Sequence, residues 1–438
     1  MRMIRALVLF AAFLLPAVSQ AELQIEQWQT DTGARVLFVE SRGLPILDVS
    51  VEFPAGSARD TADRSGVASL TLRMMRLGAA GMSEDAISEK LADVGANLSS
   101  RLDVDRAGYS LRSLSGERER EQALAVLRAV LQAPEFPETA LEREKARVVA
   151  ALRDAATRPA TIAERNFREL VFHDHPYGLP GSGEIETVAA ISRGDLQQFH
   201  RLHFTASAAV VAIIGDVSRE EAQRIAAQLT RRLPQPAGAV PPLPAVAPLT
   251  APAERWIPHP ATQAHIRVGM PGLQRADPDY FALWLGNHIL GGGGFSSRLT
   301  VELREKRGLS YSSYSYFAPY AERGAFLVGV QTQKEQAGEA LAVVRATLER
   351  FVTDGPTPEE IEAAKQNVVG GFVLRVDSNS KMHEYLAMIG FYGLPLDYID
   401  TFPERIAALS VEQVADAFRR RVDPANMVTV VVGPESPR

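Results

Sequence analysis

Cysteine is absent from this chain, which rules out a disulfide framework, a thiolate metal site and a cysteine nucleophile together. Beyond the first 21 residues, no apolar run approaches the ~20 residues that a membrane-spanning helix requires. A basic excess is also missing. Lys and Arg total 47 against 53 Asp and Glu, a formal net charge of −6, which disfavours nucleic acid and anionic membrane surfaces as partners. Histidine is scarce, at eight residues, and His173 and His175 are the only tight pair. They sit in a polar stretch running into Pro176-Tyr177-Gly178, which reads as a turn rather than a metal site. His288 falls on the apolar face of its helix and reads as a core or interface residue, while His200, His203 and His383 stand alone. There is no G-x-S-x-G elbow for a serine nucleophile. Gly291 to Gly294 are not followed by Lys-Ser or Lys-Thr, so a phosphate-binding P-loop is excluded.

The first residues form an export signal. Arg2 and Arg5 supply a basic start, Ala6 to Ala17 an apolar core of 12 residues, and Ser19-Gln20-Ala21 small residues at the cleavage-determining positions. Residues 1–21 are therefore expected to be removed and the protein to reach a periplasm. The mature chain, two arginines fewer, carries 45 basic against 53 acidic residues, a net charge of −8. Its length suggests two or more domains.

Residues 233–254 are rich in proline and alanine and lack helical or strand periodicity, the composition of an extended linker. They separate two halves, 22–232 and 255–438, that share a repeat. Leu141-Glu142-x-x-Lys145-x-x-Val148-Val149-x-x-Leu152 matches Ile361-Glu362-x-x-Lys365-x-x-Val368-Val369-x-x-Phe372 at an offset of 220 residues. Each lies in a helix introduced by proline (Pro137, Pro358), the second with Thr357 and Glu360 as a capping box. Val210 to Gly215 and Val428 to Gly433 are matching apolar strands that end on glycine. Further strands are expected at Arg35 to Glu40, Leu47 to Phe53, His265 to Met270 and Ala325 to Gln331. Ser83 caps a helix reaching Val94 with Gly95 behind it, and Asp277-Pro278 opens another carrying Phe281, Trp284, Leu285 and Ile289 on one face. The predicted fold class is α+β, as two tandem homologous domains, each an antiparallel-rich sheet packed with helices.

The segment Leu290 to Tyr311 reads as a glycine loop, a short charged helix ending at Gly308, and a strand opening near Tyr311. With the duplication, the linker, the His175-Pro176-Tyr177-Gly178 turn and the Ile213-Ile214-Gly215-Asp216 strand end, it resembles the pitrilysin or insulinase family of metallopeptidases, whose small bacterial members are tandem α+β half-shells. Active members carry H-x-x-E-H on the first helix of the first domain, two histidines binding zinc and the glutamate activating water. The matching helix here starts at Gly66. It holds Ser69 and Arg73 at the histidine positions and Leu72 at the base, and Ala151 matches the family's third ligand, a glutamate. Leucine accepts no proton, and an arginine repels a dication. Zinc is accordingly not expected in this chain.

The resemblance also implies that Arg304 and Tyr311, seven residues apart as in the family, hold the substrate backbone and stabilise the oxyanion. Gly291, Gly292, Gly293 and Gly294 would lie beside the peptide. In several bacterial and mitochondrial members zinc and this pair reside on different subunits. The implied function is a zinc-free subunit of a heterodimeric periplasmic metallopeptidase, inert alone, completed by a paralogous H-x-x-E-H subunit that brings the zinc, and holding an unfolded peptide as an added strand. The alternatives are a non-enzymatic structural or peptide-holding subunit and a self-sufficient enzyme with zinc relocated to His173 and His175.

Overall fold

The computed structural model describes residues 24–236, 238 and 241–436; the export signal expected at residues 1–21 lies outside them. The first half builds a six-stranded sheet from β1 (Glu26–Gln29), β2 (Arg35–Glu40), β3 (Ile46–Phe53), β4 (Asn97–Leu102), β5 (Ala107–Leu114) and β6 (Val210–Gly215), ordered β1-β2-β6-β3-β5-β4. The second half builds a five-stranded sheet from β7 (Ala253–Pro258), β8 (Gln263–Pro271), β9 (Ser310–Phe317), β10 (Ala325–Gln333) and β11 (Val428–Gly433), ordered β9-β10-β8-β11-β7. Leaving β1 aside, the two orders are the same, so the duplication read from the sequence is also a duplication of topology. One pair in each sheet is parallel, β2 with β6 and β7 with β11, and every other pair is antiparallel.

The helices used below are α1 (Val67–Met75), α2 (Glu84–Ala92), α3 (Glu117–Gln132), α4 (Glu138–Ala155) and α5 (Pro159–Phe172) in the first half. In the second they are α6 (Tyr280–Asn287), α7 (Ala337–Asp354), α8 (Pro358–Gly371) and α9 (Asn379–Tyr392). Their ends follow the expected chemistry. Ser83 Oγ accepts from the Ala86 amide at 3.2 Å, and α2 stops at Ala92, two residues short of Val94, before Gly95 turns at φ +62°. Around α8, Thr357 Oγ1 accepts from the Glu360 amide at 3.2 Å while Glu360 Oε2 accepts from the Thr357 amide at 2.8 Å.

The apolar runs of β6 and β11 are explained by burial on both faces. Val211 and Ile213 point into the first half's own core. Val210, Ala212 and Ile214 point the other way and, with Leu37 and Val39 of β2, join a core otherwise built from the second half. That outward face is covered by α9, which crosses over from the second half and packs on β6, β3 and β2. Contact is close enough that a Cβ on Gly390 would come within 2.5 Å of Leu37, and Arg35 Nη1 donates to the Gly390 carbonyl at 2.9 Å. In the reciprocal arrangement α5 leaves the first half and covers β8 and β11, joining Phe167, Val171 and Phe172 to Val428, Val430 and Val432. Each half thus lends a helix to the other's sheet.

The seam is closed by a buried carboxylate. Asp105, on the β4–β5 turn, accepts from Tyr177 Oη at 2.7 Å, Tyr392 Oη at 2.9 Å and the Ala321 amide at 2.7 Å. Tyr177 lies just beyond α5, Tyr392 ends α9, and Ala321 sits in the β9–β10 turn. The Glu322 amide donates in turn to Tyr177 Oη at 3.0 Å. Burial pushes the Asp105 carboxyl above its ordinary range, against the pull of these donors. Beside it, the Arg106 guanidinium pairs with Glu52 and Asp103, each at 3.0 Å, and lies against the rings of Phe391 and Tyr392.

The linker segment crosses the surface without a regular element from 241 to 249, and Leu243, Val246 and Leu249 tuck against the α5 side of the seam. Ala253 and Glu254, grouped with the linker on composition, instead open β7 and pair with Val428 and Thr429. Strand pairing outweighs composition there.

Two histidines in the first core set an acid limit on stability. His200 Nε2 lies 2.9 Å from the Leu131 carbonyl. His203 packs against Phe199 with ring centroids 4.5 Å apart, and burial, aided by Arg59, holds its pKa down at about 4. A depressed histidine contributes stability that is complete above about pH 6.5 and is lost as pH falls toward about 4. Thermal or urea unfolding should therefore show His203→Gln losing about 1–2 kcal/mol less than the unmodified chain between about pH 6.5 and 4.5. Parallel pH profiles for the two proteins would refute this.

Candidate functional site

The helix matching the family's zinc helix is α1. The Asp60 carboxylate organises its N-terminus, accepting the Gly66 amide at 2.7 Å and the Ala68 amide at 2.9 Å. Leu72 is 3 % exposed and belongs to the first core, and its carbonyl accepts from the buried Tyr109 hydroxyl. Ser69 is half-buried, and Arg73 and Ala151 are exposed. A hydroxyl, an aliphatic chain, a cation and a methyl group do not make a zinc donor set, so these residues do not fit the metal. Among the described residues no group of three or more His, Asp or Glu could hold a metal ion. His173 and His175 do not supply one. His173 holds a positive φ of 47°, and His175 caps the following turn, its Nδ1 accepting the Tyr177 amide at 3.0 Å and its Nε2 lying 2.8 Å from the Pro244 carbonyl. Both ring nitrogens of His175 are thus committed to backbone groups, while His173 is exposed.

The segment 288–311 is better ordered than a simple loop and short helix. Helix α6 widens to a π-turn over His288–Gly292. After Arg298–Thr300 a second wide turn runs over Val301–Glu305, with the Lys306 amide reaching the Val301 carbonyl at 3.0 Å. Such insertions are frequent at functional sites. Three of the four glycines have a packing reason. A Cβ on Gly291 would meet Ser315 Oγ at 2.4 Å, on Gly292 Asn287 Nδ2 at 2.8 Å, and on Gly293 the His288 carbonyl at 2.6 Å. Gly294 alone of the four faces open space, at φ +67°. Asn287 and Ser315 lock this turn to β9 through mutual hydrogen bonds of 3.0 and 2.7 Å.

Arg304 and Tyr311 both end at the surface and, among the described residues, have no ionic or hydrogen-bonding side-chain partner. In the charged run Glu302 gathers Lys306 at 2.8 Å, Arg307 at 2.6 Å and Arg350 at 3.7 Å. Arg304 instead lies 4.9 Å above the ring of Phe295, itself 72 % exposed. Tyr311 occupies a β-bulge. The register of β9 against β10 passes from Ser310–Thr332 to Ser312–Gln331, leaving Tyr311 unpaired and 89 % exposed. Ser310 Oγ pins the bulge by donating to the Gln331 carbonyl at 2.7 Å and accepting the Ser312 amide at 3.1 Å. Bulges of this kind redirect a side chain. Arg304 and Tyr311 do not contact each other; any convergence would be on a third molecule. Neither Phe295 nor the bulge was read from the sequence. An exposed phenylalanine directly after four glycines was the available signal for the first.

The family model described as "Insulinase (Peptidase family M16)" matches residues 35–183, and that described as "Peptidase M16 inactive domain" matches 190–368. A crystal structure described as a peptidase M16 inactive domain from Pseudomonas fluorescens superposes with a TM-score of 0.91 at 36 % identity, covering 95 % of this chain and 100 % of that one. The chain belongs to the M16 peptidase family. Among curated M16-type relatives, a Helicobacter pylori protein named as a non-peptidase homolog is 23 % identical over 417 residues, 94 % of this chain and 95 % of that protein. An uncharacterized zinc protease of Streptomyces coelicolor is 31 % identical over 286 residues, which span 63 % of this chain and 61 % of that protein. The M16 fold and its two related halves, expected from the sequence, are thus found.

Proposed function

We propose that this chain is the zinc-free subunit of a periplasmic, paired M16 peptidase, holding the peptide while a paralogous H-x-x-E-H subunit supplies the zinc. One contrast carries the reading. The zinc positions have become Ser69, Leu72, Arg73 and Ala151, with Leu72 absorbed into the core, whereas Arg304 and Tyr311 remain exposed and free of side-chain hydrogen bonds. Surface chemistry of that kind has no evident use to the chain on its own. The match of residues 190–368 to an inactive-domain model and the non-peptidase naming of one relative are in line with this reading.

In this assembly the peptide lies as an added strand, and β4 and β9 are the free sheet edges beside the β4–β5 and β9–β10 turns. Arg304 faces the carbonyl oxygen as negative charge develops on it, and Tyr311 donates a second hydrogen bond. A structural or peptide-holding subunit without catalytic contribution is the second reading, with which the naming of the H. pylori relative is equally compatible.

The test is direct. The purified chain should hydrolyse no peptide and contain no stoichiometric zinc. Co-expression with an exported H-x-x-E-H chain from the same genome should yield a stable complex with chelator-sensitive activity. Chelator-sensitive hydrolysis by the chain alone would overturn the proposal.

A further inference from the structure

Where the two halves meet on the α5 side lies a cavity of about 830 Å³, within the size range of small-ligand sites. The end of α4 gives it an apolar wall of Leu152, Ala155 and Ala156, and the other half contributes Arg267 from β8. Arg267 is 8 % exposed on a strand hydrogen-bonded to neighbours on both sides, so its backbone is fixed. Its Nη1 donates to the Ile266 carbonyl at 3.1 Å, and its Nε has no hydrogen-bond partner. Its one ion pair among the described residues is a long one, Nε to Glu164 at 3.5 Å, on a carboxylate side chain 41 % exposed, and the guanidinium lies 5.9 Å from the centre of the Tyr314 ring.

Apart from Glu186, the other charges around the cavity are committed elsewhere. Arg165 pairs with Glu184, Glu169 pairs with Arg255, and Arg168 donates to the Tyr177 carbonyl. A buried guanidinium with unused donors carries a desolvation cost that an incoming anion offsets. One guanidinium fork matches one planar carboxylate. The acidic neighbours Glu164 and Glu186 disfavour a multiply charged phosphate, and the apolar wall calls for a ligand with aliphatic substance beside its charge.

We propose that this cavity binds a carboxylate borne by a peptide, Arg267 anchoring the charge and the α4 wall taking the adjacent apolar residue. The carboxylate belongs either to the peptide's C-terminus or to an acidic side chain. The inference is independent of the paired-peptidase reading, because binding requires only this chain.

The experiment is calorimetric titration of the full mature chain with three N-acetylated hexapeptides of alanine, serine and leucine. One has a free C-terminus, one a C-terminal amide, and one an amide with a central glutamate. At least one carboxylate peptide should bind at least tenfold more tightly than the neutral amide. Preference for the free C-terminus or for the glutamate peptide identifies the source of the carboxylate. Arg267→Met should abolish the preference, with Arg267→Lys retaining part of it. Ala156→Phe, an exposed wall position, should weaken binding at least tenfold without touching the guanidinium, and decides the matter if Arg267→Met does not fold. Equal affinities for all three peptides, no binding by any of them, or unchanged affinity in Ala156→Phe would overturn the proposal.

Discussion

In a complex reconstituted with an H-x-x-E-H-bearing partner, Arg304→Ala is expected to lower kcat/KM by about 10²–10³-fold, the usual effect of removing one donor from a developing oxyanion. Its stability should hardly change, because among the described residues the exposed guanidinium forms no ion pair and lies over the exposed ring of Phe295. Arg304→Lys should recover part of the loss, a point charge replacing a planar fork. Tyr311→Phe, which deletes a hydroxyl from an unpaired, exposed bulge residue, should cost about tenfold or more. The loss should appear mainly in kcat, since the interaction strengthens as charge develops. A complex that forms normally and shows unchanged kinetics in Arg304→Ala would assign the chain to the structural reading. Loss of complex formation would point to a role in assembly.

The second large effect is on folding. Asp105→Ala should destabilise the chain by about 3–5 kcal/mol, measured by urea unfolding, because three donors gathered on a buried carboxylate lose their acceptor at once. They are the Tyr177 and Tyr392 hydroxyls and the Ala321 amide. Tyr392→Phe removes a single hydrogen bond and should cost about 1 kcal/mol. Asp105→Asn keeps a carbonyl acceptor and should fall between the two. A loss below about 1 kcal/mol in Asp105→Ala would mean that the seam is held by apolar packing alone.

Much of the fold was legible because its signals are local. Val210 to Gly215 and Val428 to Gly433 were readable as buried strands from their apolar runs, and Pro137, Thr357 and Ser83 announced helix starts through capping chemistry. The duplication was legible because α4 and α8 kept the same spacing of apolar and charged residues. The exchange of α5 and α9 was not. Their sequences say only that each has an apolar face, and nothing local specifies whose sheet that face meets. Asp105 was invisible for the same reason, its partners lying far along the chain. At the site, the loss of the zinc positions followed from the identities of Ser69, Leu72 and Arg73. The bulge at Tyr311 depends on pairing with β10, and the burial of Arg267 on the path of α5. The tight packing of Gly291 to Gly293 shows how a run suggestive of ligand approach can be set largely by neighbouring side chains.

The reciprocal loan of α5 and α9 has a consequence for what counts as a unit in this molecule. A fragment ending before β7 would leave β6, β3 and β2 without the helix that covers them, and a fragment beginning there would leave β8 and β11 bare. Neither piece is therefore expected to fold as a self-sufficient domain despite the doubled sequence. The peptide connection at 241–249 keeps the two at high mutual concentration, but the interlocked helices supply the cohesion. Physically, the chain is an obligate dimer of unlike protomers that happens to be translated in one pass.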